Sequence, residues 1–364
     1  MPANLRIEKV KAVPITRPRI IGDIGLRGFF QLYLKAKNII KTEKIDFLYI
    51  PIASFYCALI GRWLNKTTGI KYGIDYMDPW VHTFPGSNKM FTRHWFSTKV
   101  ACLLEPIAVK KASLITGVAE AYYLPVFDRN PQLKNIIFGA MPMGGEIEDH
   151  KMAATLKTAP YLFTKKNNKI QLMYAGAMLP KAYEPLKKIF EAISVNREIF
   201  KDVEFYFVGT GVIKNGITGH TIKPLAEAYG ISETIIFEHP QRIPYLDVLI
   251  HLENVDAVFI LGSTEAHYSP SKVYQGILSS KPILAVLHQQ STAINVVRGA
   301  NAGIVLAFNG EEDINVISQQ FTQQFKNFLN FCKSFDPSKT DVSLFKEYSA
   351  LNVTGKLARL LDEI

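Results

Sequence analysis

Short apolar runs alternate along the chain with longer stretches in which apolar residues recur every three or four positions. The short runs read as buried strands and the longer ones as amphipathic helices, and their regular succession predicts parallel sheets covered by helices. In the first half the pattern predicts strands at residues 7–13, 47–50, 72–75, 114–117 and 135–138. Helices are expected at 26–41, 54–64, 91–109 and 119–127. The first of these is the clearest, with Phe29, Phe30, Tyr33, Ala36, Ile39 and Ile40 at helical spacing and lysines opposite. Residues 146–169 are polar around a short YLF island and read as a passage between two domains. Beyond them strands are expected at 170–174, 203–208, 234–237, 257–261, 282–286 and 303–306, and the chain closes with a helix carrying Leu357, Leu360 and Leu361.

The most informative segment is STEAHYSPSKVYQGILSSKPILAV, residues 263–286. An apolar strand empties into a polar loop that ends at a helix start. Ser271 suits the N-cap, and Lys272 follows it. Unpaired backbone N–H groups, a positive dipole end and an adjacent lysine make a site for an anion such as phosphate.

The order strand, loop, Pro270-Ser271-Lys272-Val273-Tyr274-Gln275, then Ser280-Lys281-Pro282 and a strand, resembles the donor-binding segment of retaining GT-B glycosyltransferases of the group 1, or family 4, type. IQLMYAGAMLPKAYEPLKKIFEAI (170–193) is similar to the first strand, glycine turn and helix of that family's C-terminal domain, and VEFYFVGTG (203–211) to its second strand. GIKYGIDYMDPW (69–80) and KKASLITGVAEAY (110–122) match the N-terminal half in order and spacing. The resemblance implies an α/β GT-B fold: two Rossmann-like domains with parallel sheets facing a central cleft. The domains would be 1–150 on the acceptor side and 151–340 binding a nucleotide sugar, with 341–364 as a helix returning to the first. The family's opening strand, glycine turn and helix have no counterpart before Leu5, so an upstream unit is expected to be missing or naturally absent. The glycine run at Gly22, Gly25 and Gly28 reads as a flexible loop.

The same resemblance assigns residues. Lys272 and the Ser271 backbone would hold the leaving diphosphate, Gly176 would let backbone approach it, and Lys181 would add charge, unless it is a solvated loop lysine. Gln275 stands where the family has a glutamate that accepts from the donor ribose, and a neutral amide loses charge-assisted strength there. His267 falls at the partner acidic position and would donate a hydrogen bond, or is a plain polar loop residue. At the end of a first-half strand, Asp78 would orient the acceptor hydroxyl and His82 would contact donor sugar or leaving group. Asp78 could equally start a turn. Gly209 and Gly211 read as turn glycines.

Composition narrows the partners. Net charge is +10, and residues 1–72 carry 13 Lys and Arg against 4 Asp and Glu, so the excess lies early. A basic surface suits an anionic membrane or phosphorylated substrate, and without a zinc-finger, RRM or KH signature nucleic acid is not expected. The segment 91–111 mixes aromatic and basic residues and reads either as a membrane-surface helix or as an ordinary half-buried one. Cys57, Cys102 and Cys332 lack bridging or metal spacing and read as reduced core residues. No metal or cofactor is expected, and no signal peptide or transmembrane run is evident. Taken with these bounds, the resemblance implies a cytoplasmic, membrane-peripheral glycosyltransferase of cell-surface polysaccharide synthesis acting on a lipid-linked or saccharide acceptor. The alternative is a nucleotide-sugar-binding protein without catalysis. A dinucleotide-dependent dehydrogenase fits poorly, for want of a GxGxxG turn after the first strand.

Overall fold

The computed structural model describes residues 5–14, 22–81, 89–133, 135–156, 158–214 and 217–364. The chain divides into two compact units, Met1–Pro142 with Thr354–Ile364, and Met143–Val353.

The first unit is built on four strands, β1 (Phe47–Pro51), β2 (Lys71–Tyr76), β3 (Leu114–Gly117) and β4 (Ile137–Ala140). They are all parallel and lie in chain order. Tyr72, Ile74 and Tyr76 of β2 are fully buried, as are Leu114 and Ile115 of β3. Such burial on both faces is what a parallel sheet between helical layers imposes. Lys71 Nζ donates to the Ile364 carbonyl at 2.6 Å, and Leu360 lies against Gly139.

Residues 7–13 form no strand. Leu5, Ile7 and Val13 are more than half exposed, and the run lacks a ladder partner, Val13 N–H instead donating to the Arg27 carbonyl. The helix expected at 26–41 is two, Ile24–Arg27 and Phe29–Thr42, parted at Gly28. Asp23 caps the first by accepting from Leu26 N–H, so the glycine run is not a plain loop there. Residues 15–21 lie outside the described residues. Cys102 is not a core residue but exposed, while Cys57 and Cys332 are half-buried; all three are free thiols.

The second unit carries β5 (Ile170–Ala175), β6 (Val203–Val208), a small antiparallel hairpin β7 (Val212–Lys214) and β8 (Ile217–Gly219), then β9 (Ile236–His239), β10 (Ala257–Leu261), β11 (Ile283–His288) and β12 (Gly303–Phe308). Its parallel sheet has the order β12-β11-β10-β5-β6-β9. The chain therefore starts at the centre, winds outward through β6 and β9, then returns to the other side of β5 and winds outward again. That reversal is a topological switch, and ligands of open α/β sheets bind beyond the carboxyl ends of the strands flanking it.

One face of this sheet packs an aromatic core in which Phe205, Phe207 and Phe259 meet Phe190, Phe200, Phe321, Phe325 and Phe328. Three of these come from the helix Asn315–Ser334, which the sequence reading did not place; its Ile317, Phe321, Phe325 and Phe328 recur at helical spacing. The passage expected at 146–169 contains a further helix, Ile147–Thr155, with His150 and Ala153 buried.

Candidate functional site at the switch point of the second unit

β5 and β10 pair only through Leu172 with Ala257 and Met173 with Val258, and the loops that follow them leave the carboxyl ends of the strands that flank the switch. A backbone hydrogen bond from Thr264 N–H to the Lys181 carbonyl, 3.1 Å, ties the two loops together. Gly176 follows β5 with φ +114°, a conformation that side-chain-bearing residues rarely adopt. A Cβ added there would stand 2.8 Å from Lys272 Cε. Glycine is therefore required twice over: by the backbone angle and by the lysine stem lying against it.

Lys272 opens the helix Lys272–Leu278, whose Val273, Tyr274, Gly276 and Ile277 are buried. Its ammonium donates to the Tyr174 hydroxyl at 2.8 Å, lies 3.4 Å from the Ala177 carbonyl oxygen, and stands 4.3 Å from the Tyr174 ring centroid. Tyr174 in turn donates to the Ala177 carbonyl at 3.0 Å. Burial lowers the Lys272 pKa to about 8, and no carboxylate among the described residues offsets the desolvation. A cation so placed is stabilised by an incoming anion.

Ser271 does not cap with its side chain. Its backbone is already helical (φ −60°, ψ −17°), and Val273 N–H is taken by the Pro270 carbonyl, so the hydroxyl lacks the extended geometry of a capping residue. Lys181 is not a solvated lysine: it is half-buried, with Nζ 3.8 Å from Glu265 Oε1. His267 lies half-buried in the turn before the helix. Gly209, at φ +76°, lies with its Cα near Gly176, and Gly211 is pressed between Pro240 and Thr218.

Gln275 follows Lys272 by three residues, on the same side of the helix. Its amide is held at both ends: Oε1 accepts from His150 Nε2 at 2.9 Å, and Nε2 donates to the Tyr245 hydroxyl at 2.8 Å. His150 continues to Glu253 through Nδ1 at 2.9 Å, and Tyr245 donates to Asp149 at 2.9 Å. His150 and Tyr245 were not singled out in the sequence, because they lie in segments 125 and 30 residues away from Gln275 and match no motif. Tyr174, two residues before the glycine turn, carried a signal: its side chain had to face the same layer as Leu172.

In the first unit Asp75, one residue before the end of β2, accepts from Thr116 Oγ at 2.7 Å, with Tyr49 Oη a further 2.7 Å from that oxygen. Burial pushes the Asp75 carboxyl up, against the opposing effect of hydrogen bonds from Thr116 and Tyr49. Asp78 is exposed in the bend after β2. His82 lies outside the described residues. Among the described residues no group of three or more His, Cys, Asp or Glu side chains is placed to hold a metal ion, and no helix is long and apolar enough to cross a membrane.

No protein-family model and no curated protein sequence matches the chain. Solved structures do. The α,α-trehalose-phosphate synthase (UDP-forming) of Burkholderia xenovorans, in complex with glucose-6-phosphate, is 12% identical with a TM-score of 0.65, over 93% of this chain and 79% of that one. HepE of Anabaena in complex with UDP-glucose is 13% identical with a TM-score of 0.62, over 93% and 84% of the two chains. A glycosyltransferase from Rickettsia africae is 13% identical with a TM-score of 0.61, over 92% and 80%. The fold is GT-B, an α/β architecture with two parallel sheets.

Proposed function

We propose that the protein is a glycosyltransferase that moves a sugar from a nucleotide diphosphate to a lipid-linked or saccharide acceptor, with retention and without a divalent metal. The observation that carries this reading is the Lys272 ammonium, desolvated beside Gly176 at the switch point with no carboxylate among the described residues to neutralise it. When the bond between the anomeric carbon and the diphosphate oxygen breaks, negative charge grows on the diphosphate. A fixed cation placed there lowers the barrier because it interacts more strongly with the transition state than with the ground state. The acceptor oxygen bonds to the anomeric carbon on the face the diphosphate leaves, and its proton passes to a diphosphate oxygen.

In this reading Gly176 admits the diphosphate to the backbone, Lys181 adds charge from the facing loop, and His267 donates to the diphosphate. The backbone at Ser271 opens the helix toward it. Gln275, its amide fixed by His150 and Tyr245, offers its remaining lone pair to the ribose. Asp78 orients the acceptor hydroxyl, and His82 contacts the donor sugar or leaving group. HepE is named in complex with UDP-glucose and the trehalose-phosphate synthase with glucose-6-phosphate, which supports a UDP-sugar donor and a saccharide acceptor for this chain also. The cellular setting that goes with this chemistry is the cytoplasm, at the inner face of the membrane, in surface polysaccharide synthesis.

Calorimetric titration with UDP, GDP and ADP tests the donor site, followed by a hydrolysis assay on the sugar form of whichever binds. Lys272→Ala should weaken diphosphate binding by about 10- to 100-fold, the worth of one hydrogen bond to a charged group. Wild-type affinity in that variant removes the assignment. Binding without turnover of any sugar form instead favours the catalytically inactive nucleotide-sugar-binding protein, toward which the neutral Gln275 points.

A further inference from the structure

The helix Arg93–Val109 in the first unit has two apolar faces. One is buried, through Ala101, Ala108 and Val109. The other faces outward: Phe96, Val100, Leu103 and Ile107 are 52%, 38%, 69% and 45% exposed. Their spacing of four, three and four residues places them in one narrow strip along the helix. Lys110 comes three residues after Ile107 with backbone still helical (φ −48°, ψ −31°), so the strip ends in a cation. Arg93 and Lys99 flank it at about 60° to either side. The one acid of the helix, Glu105, lies on the opposite face, 1% exposed and bound to Arg129. Met90 and Phe91, just before the helix, are 71% and 80% exposed. A surface helix ordinarily turns its polar side outward, and here the order is inverted.

We propose that this face docks on an anionic lipid bilayer, the helix lying in the plane of the interface. The apolar strip enters the boundary of headgroups and acyl chains, and Arg93, Lys99 and Lys110 reach the lipid phosphates. Charge selects this occupant over a second copy of the chain, since a twofold pairing of the same face sets basic flanks against basic flanks, whereas lipid phosphates complement them. The positive surface also extends past the helix end. Lys110 and Lys111 open onto a groove of about 390 Å³ at the amino ends of β2, β3 and β4, where Lys71 is met by the C-terminal Ile364 and Glu363, so the two lysines next to the helix carry the excess charge. The inference rests on the first unit alone, so its failure and that of the donor-site reading are separable.

The test is co-sedimentation of the full chain with vesicles of phosphatidylcholine, with and without about one-third phosphatidylglycerol, at low and high salt. The wild type should bind the anionic vesicles at least about tenfold more tightly than the neutral ones, and salt should weaken that binding. Leu103→Ser with Ile107→Ser should lower it by about tenfold or more, with unchanged circular dichroism because both positions are exposed. Lys99→Glu with Lys110→Glu should remove the preference for anionic vesicles. Three outcomes overturn the proposal: no binding to anionic vesicles, equal binding by wild type and both variants, or a concentration-dependent dimer that the serine variant dissolves while vesicle binding is absent.

Discussion

The Lys272 ammonium is hydrogen-bonded to the hydroxyl of Tyr174 and lies 4.3 Å from the centre of the same ring. A tyrosine holds the cation in place without cancelling its charge, as an aspartate would. The site is therefore set for an anion and is costly to the protein until one arrives.

Because the Lys272 pKa is about 8 in the folded chain, its charge fades as pH rises through that value. Affinity for a nucleoside diphosphate should be highest below pH 8 and decline above it. The bound diphosphate stabilises the ammonium, so binding near pH 8 should take up protons. Calorimetry in buffers of different ionisation enthalpy measures that uptake, and pH-independent affinity would contradict it.

The same shift fixes the sign of a stability effect. The unfolded lysine keeps its proton up to about pH 10.5 while the folded one releases it near 8, so between those values the unfolded state holds more protons and stability rises with pH. Below pH 8 the charged lysine is a burden. Lys272→Met should raise Tm at pH 7, by about 2–4 °C for each kcal/mol recovered, and the gain should shrink between pH 8 and 10.5.

Gly176→Ala combines an unfavourable φ with a contact at 2.8 Å to the Lys272 stem. It should cost about 1–3 kcal/mol in denaturant unfolding and displace the ammonium from Tyr174. Diphosphate affinity should fall with it.

Gln275→Glu should preserve or tighten nucleotide binding, since a carboxylate still accepts from His150 and offers the ribose a stronger acceptor, at the loss of the amide's donation to Tyr245, whose own proton goes to Asp149. Gln275→Leu should weaken it. Titration of both variants with the nucleotide that binds the wild type checks the pair.

In the first unit, Glu105 is buried and receives two bonds from Arg129, at 2.8 and 2.9 Å. Arg129→Met leaves that buried carboxylate without a counter-charge, with only Tyr76 and Asn130 still donating to it, and should cost about 3–5 kcal/mol. Urea unfolding should show an early transition.

Most strands were legible because parallel strands buried on both faces leave continuous apolar runs, as in residues 203–208 and 257–261. The run at 7–13 carries the same kind of pattern but has no neighbour to pair with, and pairing is a property of the whole sheet. Gly176 and Lys272 were found one by one from local motifs; their contact was not, because it spans the switch between β5 and β10. The hold of His150 and Tyr245 on Gln275 left no trace in sequence, since helix 147–155 lies in a stretch read as linker. The outward strip of helix 93–109 was hidden for another reason. Aromatic and aliphatic residues on all sides of a helix look alike in one dimension, and only burial separates the face that meets the sheet from the face that does not.

Gly176 and Lys272 are 96 residues apart in the sequence, and three strands of the sheet and the hairpin intervene before the chain returns to bring them together. Such a site has high contact order: nothing about it can form locally, and it exists only after β10 has docked against β5. On the proposed reading, a chain released from the ribosome before the helix Lys272–Leu278 would lack the donor site, and nucleotide affinity would measure how much of the second unit has finished folding.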